Sequence, residues 1–303
     1  MPVCHQPSQM QKYLIFLAVQ PLIRNFATMK NKGRTHRLLP FILIGACLMT
    51  ACKPKSQQDP HHYTHEVLLP MTPVKNQGKH ELCWAYAMLA TIETEHLLRG
   101  DSVNLSPVFL GRQLNNYQLS FFNSQFSNPE RAMCLTALNL MERYGIVGFD
   151  VLPDDATDDL PTPKSVFLLG ARYTPLQFAH SVCAPDEYIG LTCVSDSPYY
   201  RKIVVPVADN WERNRLLNIP KDSLRRHVNR ALRHRHPVCY ESAGHAMEIV
   251  GMARDENRHA YYVLKNSWGT DQPHGGLVYM PARRLWRDVA AVYMTTEAYS
   301  LQE

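Results

Sequence analysis

Apolar residues crowd every side of one segment in the first third of the chain and then settle into sparser stripes. Leu82-Cys83-Trp84-Ala85-Tyr86-Ala87-Met88-Leu89-Ala90 continues through Ile92, Leu97 and Leu98 to Gly100. That run predicts a helix buried on all sides and stopped at a glycine. Ser106-Pro107 and Asn128-Pro129 each set a capping residue before a proline at a first helical position, and Thr174-Pro175 repeats the device. The second of these predicts a helix through Leu135, Leu138 and Met141 that ends near Gly145. After Pro220, Leu224, Val228, Ala231 and Leu232 fall at i, i+4, i+7 and i+8, a single helical stripe. The last third changes period. Val238-Cys239-Tyr240, His245 to Met252, Tyr261 to Lys265 and Leu277 to Met280 read as strands, punctuated by Asp255-Glu-Asn-Arg258 and Gly275-Gly276. Helices first and strands later predict an α+β protein with two lobes, and a site between them drawn from residues far apart in sequence.

Composition narrows the class. With 303 residues, 45% hydrophobic and 19% charged, the chain is too apolar for disorder, and 8 Cys are too few for a disulfide scaffold. Mean hydropathy of −0.28 excludes a polytopic membrane protein. The net charge of +5 suggests an anionic partner until it is located. Residues 1–52 hold six of the 32 basic residues and none of the 27 acidic ones, which leaves 26 against 27 in the remainder.

That basic segment has the layout of an export signal. Lys30, Lys32, Arg34 and Arg37 precede an apolar run from Leu38 to Met49, and Thr50-Ala51 leads to Cys52. The run is short for a membrane span. Ending on Cys, residues 29–52 resemble a bacterial lipoprotein signal, which implies lipidation of Cys52 and an exported, membrane-anchored protein. Residues 1–28 fit no part of a signal and are expected to be a mis-called extension. Residues 53–66 are expected to be a polar tether, and 67–303 the folded domain.

Four residues carry candidate chemistry. Cys83 opens the buried helix, where the positive end of the helix dipole is expected to favour thiolate. Taken alone, a buried Cys is most often a small hydrophobe. His245 opens a strand after Gly244 and has the type needed for a base. Asn266, in Lys265-Asn266-Ser267-Trp268-Gly269, has the type needed to orient an imidazole, with Trp268 to shield the contact. Gln77, six residues before Cys83, has a side-chain amide able to join the Cys83 N–H at an oxyanion.

Order joins them: Asn-Gln-Gly, then Cys-Trp-Ala, then Gly-His-Ala-Met 162 residues beyond Cys83, then Asn-Ser-Trp-Gly with Asn266 21 residues beyond His245. This combination resembles the papain-like cysteine peptidases. Leu105-Ser106-Pro107, Glu142-Arg-Tyr-Gly145, Tyr188-Ile-Gly-Leu-Thr192, Asp209-Asn-Trp211, Asn218-Ile-Pro220, His-Ala-Met at 245–247 and His274-Gly-Gly276 resemble its bleomycin hydrolase and aminopeptidase C branch. The resemblance spans about residues 68–297. It implies a helical lobe carrying Cys83 and an antiparallel β-rich lobe carrying His245 and Asn266. It also implies a Cys83 nucleophile, His245 as base and acid, Asn266 as orienting residue, Gln77 as oxyanion donor, and a peptide or protein substrate with aminopeptidase activity in view.

Three departures set expectations of their own. His80 stands where papain-like enzymes carry a disulfide Cys three residues before the nucleophile, as in the bleomycin hydrolase branch. Arg131-Ala132 replaces the Gly-Gly pair of the cleft wall, so Arg131 is expected to narrow the cleft or to select an acidic group. Only Thr295 to Glu303 follow the last strand-like segment, where the branch has a C-terminal arm, and no insertion precedes His245. Two alternatives follow from the altered cleft: a catalytically silent peptide-binding protein, or a thiol amidase or acyltransferase acting on a non-protein substrate.

The remaining features read blandly. The basic stretch Ser223–His236 keeps its own apolar stripe and is expected to be a solvated helix face, with no nucleic-acid partner. Asp154, Asp155, Asp158 and Asp159 lack calcium-loop spacing. No zinc spacing occurs, so no metal or cofactor is expected. Cys134, Cys183, Cys193 and Cys239 are open to pairing or to remaining thiols.

Overall fold

The computed structural model describes residues 61–119, 130–157, 159–168 and 170–301. All belong to one compact unit, residues 56–303. The signal segment with Cys52, the extension 1–28, Asn128-Pro129 and Asp158 lie outside the described residues.

The first strand, β1 (Thr64–Leu68), occupies residues that the sequence reading divides between tether and domain. Its partner lies almost two hundred residues away, so no local pattern marks it. Three helices follow: α1 (Cys83–Leu98), α2 (Pro107–Leu119) and α3 (Cys134–Tyr144). Eleven side chains of α1 are buried, as its all-round apolar sequence requires. Ser106 Oγ accepts from the Phe109 amide at 3.1 Å, so Ser106 caps α2 with Pro107 as its first residue. A short hairpin, β2 (Val166–Leu168) and β3 (Ala171–Tyr173), precedes α4 (Pro175–Val182), which Thr174 and Gln177 open with a reciprocal capping box. Gly145 ends α3 at φ +85°, where a Cβ would lie 2.1 Å from the Pro175 carbonyl carbon. Only glycine permits that approach.

The remaining elements build the second lobe: β4 (Tyr188–Thr192), β5 (Arg201–Val204), β6 (Arg215–Asn218), α5 (Lys221–Arg233), β7 (Val238–Ser242), β8 (His245–Arg254), β9 (Ala260–Lys265), β10 (Leu277–Pro281), α6 (Ala282–Asp288), β11 (Val289–Thr295) and α7 (Thr296–Ser300). Their sheet runs β10-β9-β8-β7-β11-β4-β6-β5, with β1 on the second half of β8 where β7 has ended. Every neighbouring pair in it is antiparallel except β4 with β6. The strands read from sequence, β7 to β10, form one contiguous end of the sheet. Strands β5 and β6, of four residues each, are too short to carry a clear local signal.

Strand alternation sorts the side chains of the sheet between two cores. Cys239, Ala246, Ala291 and Tyr293 join α1, α2 and α3 in one, and Tyr240, Met247, Ile249, Val292 and Met294 join α5 and α6 in the other. Leu224, Val228, Ala231 and Leu232 are the buried face of α5, as the sequence stripe predicts. The lobes are also joined by polar groups. Buried Glu93 of α1 pairs with Lys75 and accepts from Thr72 Oγ1 at 2.6 Å and from the Leu105 amide at 2.7 Å. Lys265 of β9 donates to the same Thr72 hydroxyl at 2.8 Å. Burying a carboxylate is tolerated here because its oxygens are satisfied.

Candidate active site

Cys83 is the first residue of α1, and its N-cap Leu82 makes no side-chain hydrogen bond. The Cys83 amide, at the first helical position, has no intrahelical acceptor and can meet an outside one, whereas the amides of Ala85 and Tyr86 bond the Leu82 carbonyl. His245 opens β8 beside Cys83, and Asn266 directly follows β9. The pairing of β8 with β9 brings the two together although they stand 21 residues apart in sequence.

His245 Nε2 lies 2.9 Å from Asn266 Oδ1. The Ser267 amide donates to that same oxygen at 2.9 Å. An amide N–H only donates, so the oxygen of Asn266 is fixed as acceptor and His245 Nε2 as the protonated nitrogen. The neutral imidazole then presents Nδ1 as a lone pair, the form needed to take a proton from a thiol. Trp268, half exposed, stacks on the imidazole with centroids 5.2 Å apart and planes at 30°.

Gln77 is held as firmly. Its Nε2 donates to the His80 carbonyl at 2.7 Å, and its Oε1 accepts from Ser267 Oγ at 2.5 Å. Its backbone N–H donates to the Ser267 carbonyl at 2.8 Å. One N–H of the side-chain amide is thus spent on His80 and the other remains for a ligand in the cleft.

Cys83, His245, Gln77 and Trp268 line one cavity of about 160 Å³, together with Glu81, Trp84, Arg131, Ala132, Asp209, Glu241, Ser242, Gly244 and Ala246. Small-molecule sites commonly measure about 300–1,000 Å³, so this one suits a group of roughly residue size. The Arg131 guanidinium makes a bidentate pair with Asp209, Nε to Oδ1 at 3.0 Å and Nη2 to Oδ2 at 2.8 Å, and reaches Glu81 at 3.5 Å. Gly244, at φ +97°, leaves room for it, since a Cβ there would meet Arg131 Nη2 at 2.8 Å. Arg131 lines the cavity, and Asp209 already occupies the fork that would select an acidic group. His80 is tied through Nδ1 to Glu130 at 3.0 Å, and Trp84 Nε1 donates to the Glu130 carbonyl at 2.9 Å, a non-covalent tether beside the helix start.

The electrostatics correct one expectation. Burial pushes the Cys83 thiol up to about 11, with Glu241 adding to the rise; backbone hydrogen bonds from Ala246 and Trp84 and the charge of Arg131 only partly offset it. A rise of about two pKa steps is worth roughly 2.7 kcal/mol. A helix terminus supplies about 0.3–1 kcal/mol at exposed sites, so desolvation wins over the dipole. Burial also lowers His245, assisted by Arg131, against the opposing hydrogen bond to Asn266. Both shifts favour the neutral forms, thiol and imidazole.

Glu241 is a further acid of the site. It is fully buried and accepts from the Tyr293 hydroxyl at 2.9 Å and the Cys134 amide at 3.3 Å, yet burial raises it to about 7. Ser267, Asp209, Glu241 and Glu130 carry no functional weight in the sequence reading. A charged residue directly after the apolar run Val238-Cys239-Tyr240 is the one local signal for Glu241. All five described cysteines are free thiols. The fully buried Cys134 and Cys239 share a hydrogen bond. Among the described residues no cluster of metal-ligating side chains occurs.

No protein-family model matches the chain. It is 24% identical to ananain of Ananas comosus over 231 residues, 74% of this chain and 54% of that protein. It is 27% identical to the viral cathepsin of Epiphyas postvittana nucleopolyhedrovirus over 202 residues, 66% of this chain and 53% of that one. The chain thus spans about half the length of the curated relatives it matches. Among solved structures, PepW from Lactobacillus rhamnosis HN001 superposes with a TM-score of 0.61 at 13% identity, covering 97% of this chain and 93% of that one. The fold is papain-like, and the curated relatives that the chain resembles in sequence are cysteine proteases.

Proposed function

We propose that the protein is an exported cysteine peptidase that hydrolyses peptide bonds through Cys83, His245 and Asn266. The observation that carries this reading is the shared cleft of Cys83 and His245, with the tautomer of His245 set by Asn266. As Cys83 Sγ attacks the substrate carbonyl, His245 Nδ1 takes the thiol proton, so the charged pair forms only as the bond is made. The developing oxyanion receives the Cys83 N–H and the remaining N–H of Gln77. Asn266 stabilises the imidazolium that results, and Trp268 keeps water from their hydrogen bond. His245 then gives its proton to the leaving amine, and water attacks the thioester with His245 again as base.

The same proposal includes acylation of Cys52 and tethering of the domain to a bacterial envelope membrane, motivated by the signal-like segment 29–52. The narrow cavity and the Arg131–Asp209 pair favour cleavage close to a substrate end, which would make the enzyme an aminopeptidase. The test is hydrolysis of a peptide library together with labelling by an epoxide thiol inhibitor. Both activities are expected to vanish in Cys83→Ala, and free peptides are expected to be cut faster than N-acetylated ones. A folded, reduced protein that neither cleaves nor labels would sink the proposal. Peptide binding that survives Cys83→Ala without any turnover would leave a binding protein, and products from non-peptide amides alone would leave an amidase.

A further inference from the structure

The sheet face opposite α1 carries a charge that peptide hydrolysis does not use. Two helices remote in sequence meet there. The hydroxyl of Tyr262 donates to Asn229 of α5 at 2.6 Å and accepts from Trp286 Nε1 of α6 at 3.1 Å. Leu224, Val228, Ala231 and Leu232 of α5 and Leu285 and Trp286 of α6 are buried against the sheet, so the outward sides of both helices are polar. The two helices hold seven Arg and one Lys against only Asp222 and Asp288. Arg225, Arg226, Arg233, Arg283, Arg284 and Arg287 are exposed. Asp222 pairs with Arg225 at 3.3 Å, and Asp288 is shared between Arg287 at 2.7 Å and Arg284 at 3.7 Å, which leaves a large positive excess.

That excess is local. Beyond residue 52 the chain has 26 basic and 27 acidic residues, so a basic face on this domain is not the echo of a basic protein. A surface that serves solubility alone intersperses both signs. The sequence shows only half of the feature, the stretch Ser223–His236; the arginines of α6 join it through the fold.

We propose that this face docks on an anionic phospholipid bilayer. The inference rests on the export reading, which places a membrane at Cys52, twelve residues before β1 begins. At about 3.3–3.6 Å per extended residue, that reach is roughly 40 Å at most. One acyl chain binds a bilayer only marginally, and a basic patch is the usual second signal. A single-stranded nucleic acid would need exposed rings to stack its bases on, whereas Trp286 and Tyr262 are buried beneath the helices. Guanidinium groups suit phosphate oxygens through paired hydrogen bonds. Glu241 and Ala246, which line the cleft, point to the opposite sheet face from Tyr240 and Met247. Docking therefore leaves the cleft open to substrate.

The experiment uses residues 56–303, the compact unit with both cores, so that neither Cys52 nor the apolar run 38–49 contributes. Co-sedimentation is measured with vesicles of phosphatidylcholine alone and with about 30 mol% phosphatidylglycerol. Binding is expected to the anionic vesicles, at least about tenfold weaker to neutral ones, and to fall as salt rises. Each cation removed is expected to weaken it about fivefold, so Arg225→Gln/Arg226→Gln/Arg284→Gln loses roughly a hundredfold while thermal midpoint and peptide hydrolysis stay unchanged. Equal binding to both vesicle types, no binding to either, or insensitivity to the triple substitution would overturn the proposal. So would tight binding to duplex DNA with none to vesicles. Membrane fractionation of the full chain and its Cys52→Ala variant tests the anchor separately, so failure of one is not mistaken for failure of the other.

Discussion

Ser267 offers the sharpest test of how the oxyanion donor is held. Its hydroxyl donates to Gln77 Oε1 at 2.5 Å, and both residues are buried. Ser267→Ala removes that hydroxyl but keeps the Ser267 carbonyl that accepts from the Gln77 backbone and the Ser267 amide that fixes Asn266. The triad therefore stays in place while Gln77 loses one of its two side-chain anchors, keeping only His80. A hydrogen bond of this kind contributes about 0.5–1.5 kcal/mol, and an acceptor left buried and unsatisfied costs about 1–3 kcal/mol. If about 1–2 kcal/mol of that appears as freedom of the amide to leave its donating pose, kcat falls about 5–30-fold. Gln77→Ala removes the donor outright and is expected to lower kcat about 10²–10³-fold. The assay is steady-state hydrolysis of a fluorogenic peptide, with active sites titrated by the epoxide and KM measured alongside. Ser267→Ala is expected to lower kcat at nearly constant KM, and to have little further effect in a Gln77→Ala background, because the two act as one unit. Wild-type kcat in Ser267→Ala, or a full additive loss in the double variant, would refute the reasoning.

Three other outcomes follow from the same contacts. Asn266→Ala releases His245 Nε2 from its acceptor, so kcat is expected to fall by about 10–100-fold, with epoxide labelling slowed in parallel; an unchanged labelling rate would count against the orienting role. Arg131 favours the Cys83 thiolate, so Arg131→Ala is expected to move the pH profile of Cys83 alkylation upward, and a profile that stays put or moves down would contradict this. Glu241 titrates near 7 rather than at its ordinary 4.5, so between those values the folded protein binds a proton that the unfolded chain has lost. Stability from this group therefore falls as pH rises through that window, by up to about 3 kcal/mol. The thermal midpoint of Glu241→Gln is expected to gain on the wild type from pH 5 to pH 8, whereas parallel curves would show that Glu241 does not titrate there.

The chemistry of the cleft was legible because it resides in short motifs, and the main helices because their signals are local. Ser106-Pro107 and Thr174-Pro175 act through hydrogen bonds three residues away, and the α5 stripe repeats within two turns. The charge balance of the chain likewise needs no structure to locate. What the sequence could not supply is any contact whose partners share no local pattern. Arg131 finds Asp209 across 78 residues, and Ser267 finds Gln77 across 190. Strand β1 is decided by its pairing with β8, and the basic face by the meeting of α5 with α6. The thiol gives the plainest case. Its place at a helix start is written in the sequence and argues for thiolate, but the burial that raises it to about 11 exists only once the lobes have packed around it. Periodicity and capping reach about four residues along the chain, whereas desolvation is set by every element that packs against a group, so only the tertiary structure decides it.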